Sequence, residues 1–502
     1  MIKKIKNNLN KKSNYILVVC LIIFSISLTT KTLQNDTFYS IAIGKHISEY
    51  RIDNIDVFSW HNLTYTYPHW LYDLGISVLY NLAGMNGIYL STIILSCILG
   101  ITIYFVGRKI TKNEITSFVS TIATMVILRA FITARAQLVT FILFTLEILF
   151  IELFIQSDTK KSKVLNAIAL FAIGAFIANI HTAVWPFFFI LFMPYIGEYI
   201  VSVLVPEKIE TILERITLSR NNNQKFLILV MIICIFSGLL TPIGDAPYTY
   251  LYKTLIGNST TYIQEHLPMV LSENIYAMII FAIYFALLIF TKIKIRLKDM
   301  FMTIGLMILS LFSLRQFSIF VLIGGLSINL MFSNWWNEKS PQDYEFVLKK
   351  LTTKTGTIFI IIATILYSLI FFIYNGNRPY IDEILYPKKA TKWLKQNLDV
   401  ENIKLYNEYD FGSYLLYEGV PVFIDSRADL YTPEFNEGQD VFSDFFATSG
   451  LTTYYEDTFE KYNITHIMIY NNSMLSVFLS KDENYKTIYV DECVVIYERL
   501  EK

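Results

Sequence analysis

"QNDTFYSIAIGKHISEYRIDNIDVFSWHNLTYTYPHWLYD", residues 34–73, follows the first long apolar segment, Tyr15–Thr30. It is dense in Asp, His, Tyr and Trp and sparse in Lys and Arg. Chemically capable side chains directly beyond a first membrane span point to an extramembrane loop that carries a site. The rest of the chain places that loop.

Of 502 residues, 54% are hydrophobic and 17% charged, and mean hydropathy is +0.45. A soluble domain carries about 25% charged residues. Apolar runs near bilayer-crossing length recur, so a polytopic α-helical membrane protein is expected. Eleven candidate spans stand out: Tyr15–Thr30, Gly87–Val106, Ile115–Leu128, Leu138–Phe154, Val164–Asn179, Ala183–Val203, Phe226–Leu240, Ile275–Phe290, Met300–Leu314, Phe317–Phe332 and Thr357–Tyr374. Few charges fall at their centres. The basic opening "MIKKIKNNLNKKSN" runs into the first span with no small-residue cleavage site after it, so it reads as an uncleaved span. Net charge is zero and no nucleic-acid partner is expected. Cys20, Cys97, Cys234 and Cys493 form no disulfide or metal-thiolate pattern.

Charge sets the expected sidedness. With the N-terminus in the cytoplasm, the inner segments 1–14, 107–114, 155–163, 204–225, 291–299 and 333–356 hold 23 Lys and Arg. The outer segments before residue 375 hold seven: Lys31, Lys45, Arg51, Arg129, Arg135, Lys253 and Arg315. This bias orients the chain, with the C-terminus outside a bacterial plasma membrane. The expected domains are a membrane domain, 1–374, with a first outer loop at about 31–86, and an extracytoplasmic α/β domain, 375–502. In that domain "NIKLYNE", "PVFIDSR", "THIMIY" and a terminal hairpin read as strands alternating with helices, a partly parallel sheet. "WLYDLGISVLYNLAG" is apolar enough to lie along the bilayer interface as a helix.

Asp36 sits six residues past the first span. It suits a general base or a ligand for a divalent cation such as Mg or Mn, and equally an Asp that starts a helix at Thr37. Arg129, Arg135, His181 and Arg315 all map to the outer side. As a set they suit a lipid-linked phosphate, since guanidinium binds phosphate bidentately; singly, each could snorkel to headgroups. His69 reads as a ligand, an acid/base group or an interfacial anchor beside Trp70. Asp425, Arg427 and Asp429 in "FIDSRADLYTP" fall at a strand's end, where parallel sheets build sites, or form a structural Asp–Arg pair. No phosphate-binding loop, dinucleotide fingerprint or nucleophile elbow is present, so a pre-activated substrate would have to supply the energy.

At these residues the chain resembles GT-C-type bacterial membrane glycosyltransferases, in the clan of protein mannosyltransferases and aminoarabinose transferases. The resemblance rests on Asp36, Phe38, Gly44, "DVFSW" from Asp56, Trp70–Leu71, "RAQL" at Arg135–Leu138, "NIHT" at Asn179–Thr182, "TPIG" at Thr241–Gly244, "RQFSIF" at Arg315–Phe320 and "FIDSRADLY" at Phe423–Tyr431. It departs at Val57, where the pattern has Pro; at His69, where it has an acid; and at Thr182, where it has Gly. The resemblance implies transfer of a sugar from a polyprenyl-phosphate carrier to an acceptor in the cell envelope. It implies a catalytic or metal-holding role for Asp36 and a place for Asp56 near the substrate. Two other classes stay open on the sequence: a transporter or flippase for a lipid-linked solute, and a non-catalytic envelope protein whose α/β domain binds a partner.

Overall fold

The structure is a computed structural model and describes residues 2–206, 215–257 and 259–500. Residues 207–214 of the basic segment 204–225 and Asn258 of the outer loop lie outside them. The chain forms two compact units. Unit one takes residues up to Thr30, Tyr89–Thr241 and Gln264–Asn377; unit two takes Lys31–Ile88, Pro242–Ile263 and Arg378 onward.

The chain is mostly helical, and among the described residues seven helices are long and apolar enough to cross a membrane: Trp70–Thr111, Glu114–Phe131, Ala136–Ile155, Lys160–Ile180, Thr182–Leu204, Leu314–Lys339 and Lys354–Gly376. Lys12–Leu28, Gln224–Leu239 and Ile275–Phe290 are apolar but shorter. The expected count of eleven is therefore not confirmed. Four of the expected spans fall on helices outside these seven. The ninth candidate, for example, is Leu297–Phe312, whose first turn holds Lys298 and Asp299.

Local chemistry starts these helices. Asn113 accepts from the backbone N–H of Ile115 (3.0 Å) and Thr116 (3.1 Å). Thr159 and Thr353 cap Ser162 and Gly356 in the same way. Each oxygen satisfies an amide that the first turn leaves unpaired.

In unit one the first helix pairs with the last. Phe24 stacks on Tyr367 at 5.7 Å, and the Asn375 amide donates to the carbonyls of Ser27 and Leu28 at 3.1 Å each. Charged side chains are buried in unit one: Lys298 Nζ meets Glu152 at 2.7 Å, and the Gln224 amide donates to Glu198 at 2.8 Å. Only three-dimensional pairing makes such burial tolerable.

Unit two contains a four-stranded mixed sheet in the order Leu405–Asn407, His466–Tyr470, Val494–Arg499, Tyr485–Val490. The first pair is parallel and the other two antiparallel. The expected strand "PVFIDSR" does not form. Val422 makes a single bridge to Ser59, and Asn407 takes over the next backbone groups: its Oδ1 accepts from Phe423 N–H and its Nδ2 donates to Ile424 O, both at 2.8 Å. A side chain thus stands where a neighbouring strand would.

The 31–88 stretch belongs to the same core. Tyr39, Ile43, Leu63 and Tyr67 share one buried cluster with Tyr406, Ile424 and Ile467. Helix Asn35–Tyr50 packs against the start of helix Trp70–Thr111 at Gly44. A Cβ there would lie 1.9 Å from the Asp73 carbonyl oxygen and 2.6 Å from Ser77 Cβ. Further on, that second helix breaks at Gly84, whose φ of 59° is one glycine adopts without penalty.

Gly44→Ala is expected to force the two helices apart and destabilise unit two by about 1–3 kcal/mol. A lowered thermal midpoint of the detergent-solubilised protein is the readout, and an unchanged midpoint would show that the helices separate freely.

Candidate active site

Within unit two the structure brings the first-loop carboxylates to the "FIDSRADLY" segment. Arg427 is the hub. Its Nη1 donates to Asp56 at 2.7 Å, its Nε to Asp425 at 2.9 Å and its Nη2 to Asp425 at 2.7 Å. All three side chains are nearly inaccessible. Burial opposes the guanidinium's charge, but Asp425 and Asp56 outweigh that cost and hold its pKa above the usual Arg value. Phe58 and Tyr65 lie against the guanidinium at 5.3 and 4.9 Å from the ring centroids.

The other oxygens of this cluster are also engaged. Asp56 accepts from the backbone N–H of Phe58 and Ser59 and from the Ser59 hydroxyl. The Tyr431 hydroxyl donates to Asp425. Asp429, on the turn Ala428–Tyr431, accepts from Thr254 (3.0 Å) and Ser259 (2.7 Å). With donors and acceptors matched in this way, Asp56, Asp425, Arg427 and Asp429 act as an internal clamp.

Asp36 stands apart from that clamp. It lies in the first turn of helix Asn35–Tyr50, half-buried, and the cap position is Gln34, which makes no side-chain cap bond. Asp36 therefore does not serve as the helix cap. Ser426, between the two clamp residues Asp425 and Arg427, points its hydroxyl at Asp36 Oδ1 across 3.5 Å. Asp73, fully buried, lies within electrostatic reach. Among the described residues no group of three or more His, Cys, Asp or Glu side chains could hold a metal ion, so the donor set around Asp36 does not fit a protein-built cation site. His69 precedes helix Trp70–Thr111. Its carbonyl accepts from Asp73 N–H at 2.9 Å and its ring stacks on Tyr39 at 6.5 Å.

Unit one holds the cationic set. Arg315 Nη2 approaches His181 Nε2 at 3.4 Å, and His181 Nδ1 lies 3.2 Å from the Thr140 hydroxyl. A guanidinium only donates, so in this contact His181 Nε2 is the acceptor. Arg135 Nη1 lies 3.4 Å from Glu265. Burial raises the Glu265 pKa, but Arg135 and then Arg315 more than reverse this and hold the carboxyl below its usual range. Arg129 is exposed on the turn Leu128–Phe131.

Sequence reading missed Glu265 and Asp73. Glu265 is an ordinary polar residue in "TTYIQEHLPM", and nothing local ties it to an arginine 130 positions away. Asp73 carries one faint signal, a carboxylate one turn into an apolar helix.

Arg427→Met would leave two buried carboxylates without their counter-charge, a loss of about 3–5 kcal/mol. A sharply lower thermal midpoint is expected, with Arg427→Lys in between because a single ammonium cannot make the fork. Equal midpoints for wild type and Arg427→Met would remove the clamp from the account.

No protein-family model matches the chain, and no curated protein matches it in sequence. Solved structures do. ArnT from Cupriavidus metallidurans bound to undecaprenyl phosphate superposes with a TM-score of 0.55 at 8% identity, covering 96% of this chain and 97% of that one. The same protein in the apo state gives 0.57 at 10% identity with the same coverage. At such identities the likeness is one of fold, and it extends over nearly the whole chain. This multi-pass membrane chain therefore shares the fold of these ArnT structures.

Proposed function

We propose that the protein is a membrane glycosyltransferase that moves a sugar from a polyprenyl-phosphate donor to an acceptor outside the cytoplasm, in a bacterial plasma membrane. The observation that carries this reading is the near-complete fold likeness to ArnT, one of whose structures holds undecaprenyl phosphate. The grouping of Arg135, His181 and Arg315 within unit one supports it. The excess of Lys and Arg in alternate loops supports a cytoplasmic N-terminus and an extracytoplasmic C-terminal segment.

In this reading each residue has a separate task. Asp36 takes the proton from the acceptor hydroxyl as that oxygen attacks the anomeric carbon. The bond from that carbon to the carrier phosphate breaks, and the phosphate leaves with its electron pair. Arg315 and Arg135 meet the charge that develops on it, an interaction that strengthens in the transition state. His181, with Nε2 turned to Arg315, holds that guanidinium in place. Arg129 is exposed and suits headgroup contact. The clamp of Asp56, Asp425 and Arg427 shapes the segment that carries Ser426 to Asp36.

The test uses purified full-length protein with a panel of synthetic polyprenyl-phosphate sugars, reading the release of polyprenyl phosphate. Asp36→Asn is expected to lower turnover by about 10²–10⁴-fold with an unchanged thermal midpoint. Wild-type turnover in Asp36→Asn would end the base assignment. If no donor is consumed, and vesicles instead show translocation without a covalent product, the transporter reading replaces this one.

A further inference from the structure

We propose that Glu265 is the resident counter-ion of the Arg135–Arg315 group, and that a polyprenyl-phosphate carrier binds there by displacing its carboxylate. This rests on reading the group as the carrier's phosphate site.

The backbone around Glu265 is fixed. Glu265 lies in the short turn Gln264–His266. The Ser313 hydroxyl donates to its carbonyl at 3.2 Å, Leu314 N–H to Leu267 O at 3.0 Å, and Met269 N–H to Leu311 O at 3.0 Å. The turn is therefore held alongside the segment that leads into Arg315. From there the carboxylate reaches Arg135, with Arg315 and His266 in electrostatic range.

The side chain itself is held weakly. It meets Arg135 through one contact at 3.4 Å, and its side chain is 41% exposed. A single-point, part-solvated carboxylate–guanidinium contact stabilises little. A phosphate monoester brings more charge and three acceptor oxygens, and it can engage a guanidinium through two parallel hydrogen bonds. Exchange of carboxylate for phosphate is therefore favourable, and it needs only a side-chain rotation.

Such a counter-ion does two things. It lowers the repulsion between two neighbouring arginines when no ligand is bound. It also sets a threshold, because a ligand displaces it only by bonding the guanidinium better than one contact at 3.4 Å does, as the two free oxygens of the donor's phosphodiester and the three of the released monophosphate can. Neutral lipids are rejected. A carrier phosphate left after transfer meets a competitor that speeds its departure. Glu265 is thus a specificity-setting residue, not a catalytic one.

The experiment measures binding of a short-chain polyprenyl monophosphate to the full-length protein in nanodiscs, against the same chain as its free alcohol. Inorganic phosphate is titrated as a competitor, to separate headgroup recognition from recognition of the whole lipid. Glu265→Gln is expected to tighten monophosphate binding about fivefold, with the alcohol unaffected. Glu265→Asp keeps the charge and is expected to bind like wild type; Glu265→Ala replaces the Gln variant if that one fails to elute as a monodisperse peak. If Glu265→Gln binds the monophosphate no tighter while Arg315→Ala abolishes the preference over the alcohol, the counter-ion proposal is wrong and the phosphate site stands. If wild type shows no preference for monophosphate over alcohol, the phosphate site itself falls and the proposal with it.

Discussion

One guanidinium organises unit two. Arg427 lies between Asp56, from the stretch after the first apolar segment, and Asp425, its near neighbour in the chain. A buried charge is tolerable only when paired and fully hydrogen-bonded, and Arg427 meets both conditions. The same contact joins two segments 371 positions apart in the chain. Around it the buried cluster that includes Tyr39, Tyr67, Tyr406 and Ile424 closes. The loop and the C-terminal sheet are therefore one folding unit, and neither segment satisfies its buried charges alone. Ser426 is held between two clamped residues and so reaches Asp36 from a fixed position.

Unit one solves a different electrostatic problem. Lys298 and Glu152 are buried there as a tight pair. Near Arg135 and Arg315 the pairing is looser: Glu265 is part-exposed, and Arg315 meets His181 only at 3.4 Å. Tight pairs resist ligands because displacing a partner strands a buried charge. Loose pairs at a water-accessible edge invite an incoming anion. That contrast, more than the mere presence of arginine, supports placing a carrier phosphate at this group.

Much of this was legible in the residues, and what was not has identifiable physical causes. Apolar runs marked the helices, while the expected count of eleven spans is not confirmed. The motifs from Asp36 to "FIDSRADLY" led to the GT-C resemblance, and the fold agrees with it. Alternation of polar and apolar residues found the strands Leu405–Asn407 and His466–Tyr470 and the terminal hairpin. It failed at "PVFIDSR", where Val422, Phe423 and Ile424 are all buried as a strand's would be. Phe423 N–H and Ile424 O pair instead with the Asn407 side chain, which periodicity cannot reveal. Asp56 was singled out as a substrate contact, and Arg427 as part of a second site or of a structural pair with a neighbouring Asp. Their partnership is a long-range fact that no local pattern encodes. Glu265 and the buried acids of the helices were invisible for the same reason.

The most direct test of the whole account is an experimental density map of the full-length protein in nanodiscs with a polyprenyl monophosphate added. Phosphate density is expected within hydrogen-bond distance of Arg315 and Arg135, with the Glu265 side chain rotated away. Phosphate bound elsewhere, with Arg135 still on Glu265 and Arg315 still on His181, would contradict it.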